Sequence, residues 1–274
     1  MLRQITRLDP LPVTAQRLIT GLQDEDFGPA QIVKDIEFDP AMVSGVLQMA
    51  NSAAYGQGTS DLREAIVRLG TTRLLEMVLR VALRRMKTSV PMYDLGENEL
   101  WRHSAASSLA VRALRLELRS TKVPESASIA ALLHDIGKLV MVRHLKTDMF
   151  AILDLCRRRS LTFVDAEREL IGCDHTEIGA ALSRQWGLPD DITDAIERHH
   201  HPVILDSTPT IDAVVVANIV AKSIGAGLGA EGLNLTADGA SSKRLGLTFT
   251  NYGHICLQTL TWLKELEATA HLAA

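Results

Sequence analysis

Among the metal-type side chains beyond residue 100 of this chain, six sit on or at the end of expected helices in a pattern that could hold an ion: His103, His134, Asp135, His175, His199 and His200. His134 and Asp135 are neighbours in AALLHDIGKLVM, residues 130–141, a largely apolar stretch that reads as a buried helix. A buried charge is costly unless it is paired, hydrogen-bonded or on a metal, so the pair points to a metal centre or to a closed polar network. Imidazoles and a bridging carboxylate, brought together from several helices, are what a mononuclear or dinuclear metallohydrolase uses to activate water. A lone core histidine is ordinarily a satisfied structural group, and six donors outweigh that reading only if the fold makes them converge.

Helices must do the positioning. Leu, Ala, Glu and Arg are plentiful, aromatic residues make up 4% of the chain, and no hairpin dipeptide separates two alternating runs, so the expected fold is all-α. In FDPAMVSGVLQMANSAAYG, Asp39 suits an N-cap and Pro40 the first helical position. Val43, Val46, Leu47 and Ala50 make an apolar stripe, and Gly56 follows the stop. DLREAIVRLG ends on Gly70, and a new helix restarts at Thr71 or Thr72, so a sharp corner is expected there. Pro91 and Gly96 interrupt the periodicity. This divides the chain into an N-terminal helical part, 1–95, and a second helical part, 96–274.

In the second part, Asp174 and Glu177 form a capping-box pair with His175 in the first helical turn and Gly187 as the stop. PDDITDAIERHHHP ends on Pro202, which crowds His199, His200 and His201 into the last turn. Residues 210–224 read as a buried helix, 225–244 as a mobile Gly-rich loop, and a C-terminal helix as ending near Ala268.

The 274 residues, 46% of them hydrophobic, can bury a large core. A net charge of −4 excludes nucleic-acid binding through a broad basic surface. Cys156, Cys173 and Cys256 lack C-x-x-C spacing, which excludes a disulfide framework or zinc ribbon and suits a reducing, cytoplasmic setting. No apolar run is long enough to span a bilayer, so no membrane association is expected. Arg73, Arg80, Arg84 and Lys87, and Arg112, Arg115 and Arg119, form two basic helical faces that read as solvated surface. Gly227, Gly229 and Gly232 satisfy G-x-G-x-x-G, but without a strand before them a flexible loop is the default. Asn51 and Ser52 read as satisfying backbone groups at a helix end, and Gly137 as a place where another backbone approaches closely.

In order and spacing, LWRHSAASSLAVRAL, ESASIAALLHDIGKL, ERELIGCDHTEIGAALSRQWGLP and AIERHHHP resemble the HDOD domain, a bacterial signalling relative of the HD superfamily of metal-dependent phosphohydrolases. LPVTAQRLITGL, IEFDPAMVSGVLQMANSAAYG and AIVRLG resemble its N-terminal portion, so the likeness covers about residues 8 to 222. It implies an HD-type helical bundle with an N-terminal helical subdomain. Carried over by position, the ligands of a catalytic HD enzyme fall on His103, His134 and Asp135, with His175, His199 and His200 as the extra histidines of the dinuclear branch.

The last carboxylate ligand falls on Asn218, a neutral and weaker donor, and Asp212 lies six residues earlier on another helical face. The Gly-Tyr-Pro signature of enzymes that hydrolyse cyclic di-GMP is replaced by HHHPVILDSTP. The resemblance therefore implies a regulatory, signal-transducing module that binds a signalling protein or a nucleotide and has lost turnover, with cyclic di-GMP signalling as one setting. The alternative is a phosphodiesterase-type hydrolase using the retained cluster with Fe, Mn, Mg or Zn. No receiver, kinase or DNA-binding segment is legible, so input and output are expected to reach the module through other chains.

Overall fold

Gly70 shapes the first helical unit. At φ 74° and ψ 165° it takes a backbone conformation that side-chain-bearing residues avoid, and it breaks α4 (Leu62–Arg85) into two arms. The computed structural model describes residues 11, 13–22, 28–37, 40–51, 58–85, 90–119, 123–144, 151–201, 206–227, 229–230 and 239–271. Among these the architecture is all-α: apart from one isolated bridge, Val90 to Leu95, the described residues contain no β-structure.

The chain divides into two units, one holding Asp9–Met86 with Trp186–Pro189, the other Lys87–Gln185 with Asp190–Ala274. In the first, α1 (Val13–Leu22), α2 (Pro29–Ile36) and α3 (Pro40–Ala50) pack on α4. On α3 the buried stripe is Met42, Val46 and Ala50, while the expected stripe members Val43 and Leu47 are only half-buried. The stripe runs at strict i, i+4 spacing, one residue off the expected face. Asn51 ends α3 by bonding both backbone groups of Thr59, accepting from its N–H at 2.6 Å and donating to its carbonyl at 2.8 Å. Asp39, Ser52, Gly56 and Lys87 lie outside the described residues.

The second unit begins with a 3-10 turn, Pro91–Tyr93, and is built around α5 (Glu99–Leu118). Ala105, Ala106, Ser107, Ser108 and Ala110 are buried on α5, and their small size lets neighbouring helices approach. Packed on α5 are α6 (Ala127–Leu133), α12 (Pro209–Ser223) and α14 (Phe249–His271). α7 (Ile136–His144) packs on α10 (His175–Gln185), α8 (Ala151–Arg159) on α9 (Phe163–Ile171), and α11 (Asp190–Arg198) on α6, α10 and α12.

α12 is buried on nearly every face and starts as its sequence directs, with the Thr208 hydroxyl accepting from Ile211 N–H and Pro209 in the first turn. The Gly-rich stretch is not one loop: Gly239–Leu245 forms a helix, α13, in which Ser241 and Arg244 both bond Asp212 of α12. This long-range tie, which composition cannot show, corrects the mobile-loop expectation for 239–244. Residues 228 and 231–238, including Gly232, are outside the description. Among the described residues no helix is long and apolar enough to cross a membrane.

Candidate metal centre

All six expected donors converge. Asp135, His175, His199 and His200 place donor atoms within 4.8 Å of one another, and so do His103, His134 and Asp135, which makes Asp135 the shared member of two groups. They arrive from four places: His103 from α5, His134 and Asp135 from between α6 and α7, His175 from the first residue of α10, and His199 and His200 from the turn that ends α11. His134 and Asp135 do not sit inside one helix as the apolar pattern implies. They occupy the junction between α6 and α7, which turns both side chains inward together.

The capping box expected at α10 is present. Asp174 Oδ1 accepts from the Thr176 and Glu177 amides at 2.7 and 3.0 Å, while Glu177 Oε2 accepts from the Asp174 amide at 3.2 Å. His175 is thereby fixed at the helix start. Gly137 lets α7 approach this point: a Cβ on it would lie 1.9 Å from the His175 carbonyl oxygen and 3.0 Å from the Gly179 nitrogen.

Hydrogen bonding decides which ring nitrogen of each histidine faces inward. His103 Nδ1 meets the Ala226 carbonyl at 3.0 Å, His134 Nδ1 the Ala131 carbonyl at 2.8 Å, and His199 Nδ1 the Ile196 carbonyl at 2.8 Å. Carbonyl oxygens only accept, so each Nδ1 carries a proton and each ring turns its Nε2 inward. His175 Nδ1 meets another acceptor, the Glu167 carboxylate, at 2.8 Å.

The four Nε2 atoms then face a carboxylate: His175 and His199 stand 3.4 and 3.7 Å from Asp135 Oδ1, and His134 and His103 stand 3.4 and 3.7 Å from Oδ2. The Nε2 atoms of His103 and His134 are 3.2 Å apart. The unprotonated Nε2 atoms of His103 and His199 thus face a carboxylate that also only accepts, and the cluster could hold a cation there. Asp135 Oδ1 and Nε2 of His175, His199 and His200 are buried without a hydrogen-bond partner.

Charge at the site follows from burial. Loss of water, reinforced by a neighbouring imidazole, pushes His103 down to about 3. Burial also pushes His199 down to about 4 and His200 well below the usual histidine range, so these rings are neutral near pH 7. Burial works against charge on His175 too, but the Glu167 carboxylate outweighs it and raises that pKa. Asp135 is held well below the usual carboxylate range because Lys138 and the imidazoles overcome its burial.

Lys138, Glu167 and Tyr93 are site residues that sequence reasoning misses. Lys138, itself buried, donates to Asp135 Oδ2 at 3.0 Å. Its signal is a lysine three residues after Asp135 in an apolar run. Glu167 and Tyr93 carry no local signal, because α9 and the 3-10 turn reach the site only through the fold. Asn218 is buried with its Oδ1 lacking a hydrogen-bond partner, and it lines, with His199 and His200, a cleft of about 840 Å³. Arg157, Arg168, Lys222 and Phe163 also line that cleft. Asp212 faces away, gripped by Arg244 at 2.7 Å.

Four residues of the two basic faces, Arg73, Arg80, Arg112 and Arg115, are engaged elsewhere. Glu76 pairs with Arg80 and lies 3.8 Å from Arg73, Arg115 pairs with Glu125 at 2.9 Å, and Arg112 stacks 4.7 Å over the Trp262 ring. Gly227 and Gly229 hold positive φ, and a Cβ on either would lie 2.5 Å from a carbonyl oxygen, of Glu99 and Tyr93 respectively. They serve close backbone packing.

Known proteins share this architecture. The family profile described as HDOD domain matches residues 8–202. An uncharacterized protein of Treponema pallidum is 24% identical over 79% of this chain and 43% of its own length. A ribonuclease Y of Thermus thermophilus is 29% identical over 68% of this chain and 26% of its own. The chain thus spans less than half the length of these curated relatives. Among solved structures, an HDOD domain protein of unknown function from Geobacter sulfurreducens superposes with a TM-score of 0.70 at 22% identity, covering 97% of this chain and 95% of that one. A candidate phosphohydrolase of Shewanella amazonensis gives 0.64 at 22%, covering 94% and 97%. A candidate signal transduction protein of Marinobacter aquaeolei gives 0.63 at 23%, covering 98% and 60%. At these identities the superpositions establish the shared fold.

Proposed function

The chain belongs to the HDOD family, and from that premise we propose that it is a signal-transduction module that binds one divalent metal ion and presents the adjoining cleft to a signalling partner or nucleotide, with little or no turnover. The observation that carries the proposal is the convergence of four histidine Nε2 atoms on the Asp135 carboxylate. Asp135, His175, His199 and His200 would hold the ion, since the Oδ1 side of Asp135 has no hydrogen-bond partner while Lys138 occupies the Oδ2 side. Imidazole-rich donors favour Fe²⁺, Mn²⁺ or Zn²⁺ over Mg²⁺, which prefers oxygen.

Charge argues for one ion rather than two. Asp135 and Glu167 supply two negative charges and Lys138 returns one positive charge. Asn218 supplies none where the family pattern implies a carboxylate. Two-metal hydrolysis clamps the attacking and leaving oxygens between two ions, and the His103–His134 side has a lysine where a second ion would need anionic donors. When bound, a single ion would supply a Lewis-acid contact for a phosphate oxygen. In the cleft, Arg157, Arg168 and Lys222 provide positive charge and Phe163 a flat apolar wall, a combination suited to an anionic, base-bearing ligand. The candidate signal-transduction relative of Marinobacter aquaeolei is consistent with that role.

The test is metal analysis of the purified chain together with a hydrolysis screen against a nitrophenyl phosphodiester, cyclic dinucleotides and RNA in Mn²⁺, Fe²⁺ or Zn²⁺. One ion per chain with no turnover is expected. Turnover at an ordinary enzymatic rate, abolished by His134→Ala, would establish the second reading, a phosphodiesterase-type hydrolase. Convergence of all six donors and the likeness to a ribonuclease and a candidate phosphohydrolase favour that reading.

A further inference from the structure

Glu167 is fully buried on α9 and spends its carboxylate on three donors. Its Oε2 accepts from the His175 backbone N–H and from His175 Nδ1, both at 2.8 Å, and its Oε1 accepts from the Tyr93 hydroxyl at 2.6 Å. Tyr93 is held in turn: its carbonyl accepts from the Ala230 amide at 2.8 Å, and Lys138 Nζ lies 4.9 Å over its ring. One buried path thus runs from Tyr93 through Glu167 to His175, while the Tyr93 ring borders the ammonium that pairs with Asp135.

We infer that Glu167 and Tyr93 are positioning residues of the metal centre, Glu167 fixing the orientation and tautomer of His175 and the Tyr93 hydroxyl fixing Glu167. The inference rests on the metal-holding reading above. A carboxylate that only accepts keeps a proton on Nδ1, so Nε2, which faces Asp135 Oδ1 3.4 Å away, is the nitrogen left to bind an ion. Carboxylates bonded in this way to a ligating imidazole also raise its strength as a donor. A merely structural Glu167 would tie α9 to the first turn of α10 through the His175 amide and affect folding alone. The two roles make different predictions, because the amide bond needs no particular ring tautomer.

The experiment titrates Zn²⁺ into the full chain against a chromophoric chelator, for wild type, Glu167→Gln and Tyr93→Phe. Melting of each metal-free protein and the imidazole ¹⁵N shifts of His175 are recorded alongside. Glu167→Gln is nearly isosteric and should weaken Zn²⁺ binding about 10–100-fold. Tyr93→Phe, one bond further out, should weaken it about 2–10-fold. The His175 shifts should report an Nδ1-protonated ring in wild type and lose that uniform signature in Glu167→Gln. Wild-type Zn²⁺ affinity in both variants, with only metal-free melting lowered, would overturn the inference and leave the metal centre standing. No Zn²⁺ binding by wild type would overturn both.

Discussion

The backbone of His175 lies against Gly137 so closely that a single added methyl would stand 1.9 Å from the His175 carbonyl oxygen. No rotamer can relieve such a clash, because both partners are main chain. The contact fixes how near α7 brings Asp135 to the histidine at the start of α10. Gly137→Ala should therefore destabilise the chain by about 3 kcal/mol, the upper end of ordinary overpacking. It should also weaken metal binding, since the helices must part. Urea unfolding and metal titration check this; a variant as stable as wild type would mean the helices do not cross so tightly.

Metal removal should be visible as lost stability. At free metal a hundredfold above Kd, one site adds about 2.7 kcal/mol, or roughly 5–10 °C in Tm for a chain of this size. Chelation should remove that increment from wild type, and Asp135→Asn should show none to remove. Equal melting with and without metal for wild type would contradict a centre at Asp135.

Asn218 leaves its Oδ1 unpartnered beside His199 and His200 in the cleft lining. Asn218→Asp would put an anionic oxygen there and should tighten divalent-metal binding by about tenfold or more, because a carboxylate is a far stronger donor than an amide. Competition titration measures it. Unchanged affinity would show that residue 218 does not face the ion.

Asp212 offers the opposite case. It is buried and bonded to Ser207, Ser241 and Arg244, all away from the donor cluster. Asp212→Ala removes the acceptor of the buried Ser241 hydroxyl, while the exposed Arg244 guanidinium stays in water, and should cost about 1–2 kcal/mol of stability. Metal affinity should not move. A loss of metal binding without a loss of stability would instead make Asp212 part of the centre.

Much of the site is legible in the sequence. Metal-type side chains are chemically unambiguous, and local rules place the capping box at Asp174, the break at Gly70 and a buried helix over 210–224, close to α12. Periodicity locates helices well but errs on continuity. It runs His134 and Asp135 through one apolar helix, although the chain turns between α6 and α7, and the Gly-, Ala- and Ser-rich composition reads 239–244 as loop because the Arg244–Asp212 tie is long-range.

By itself the sequence determined the all-α class, the family and the six donors, since helix signals and side-chain chemistry are local properties of the chain. Only the tertiary structure decided that those donors meet, which ring nitrogen each histidine turns inward, and that Lys138, Glu167 and Tyr93 belong with them. Those facts depend on carbonyls and carboxylates delivered by helices distant in sequence. Such contacts leave no spacing to read.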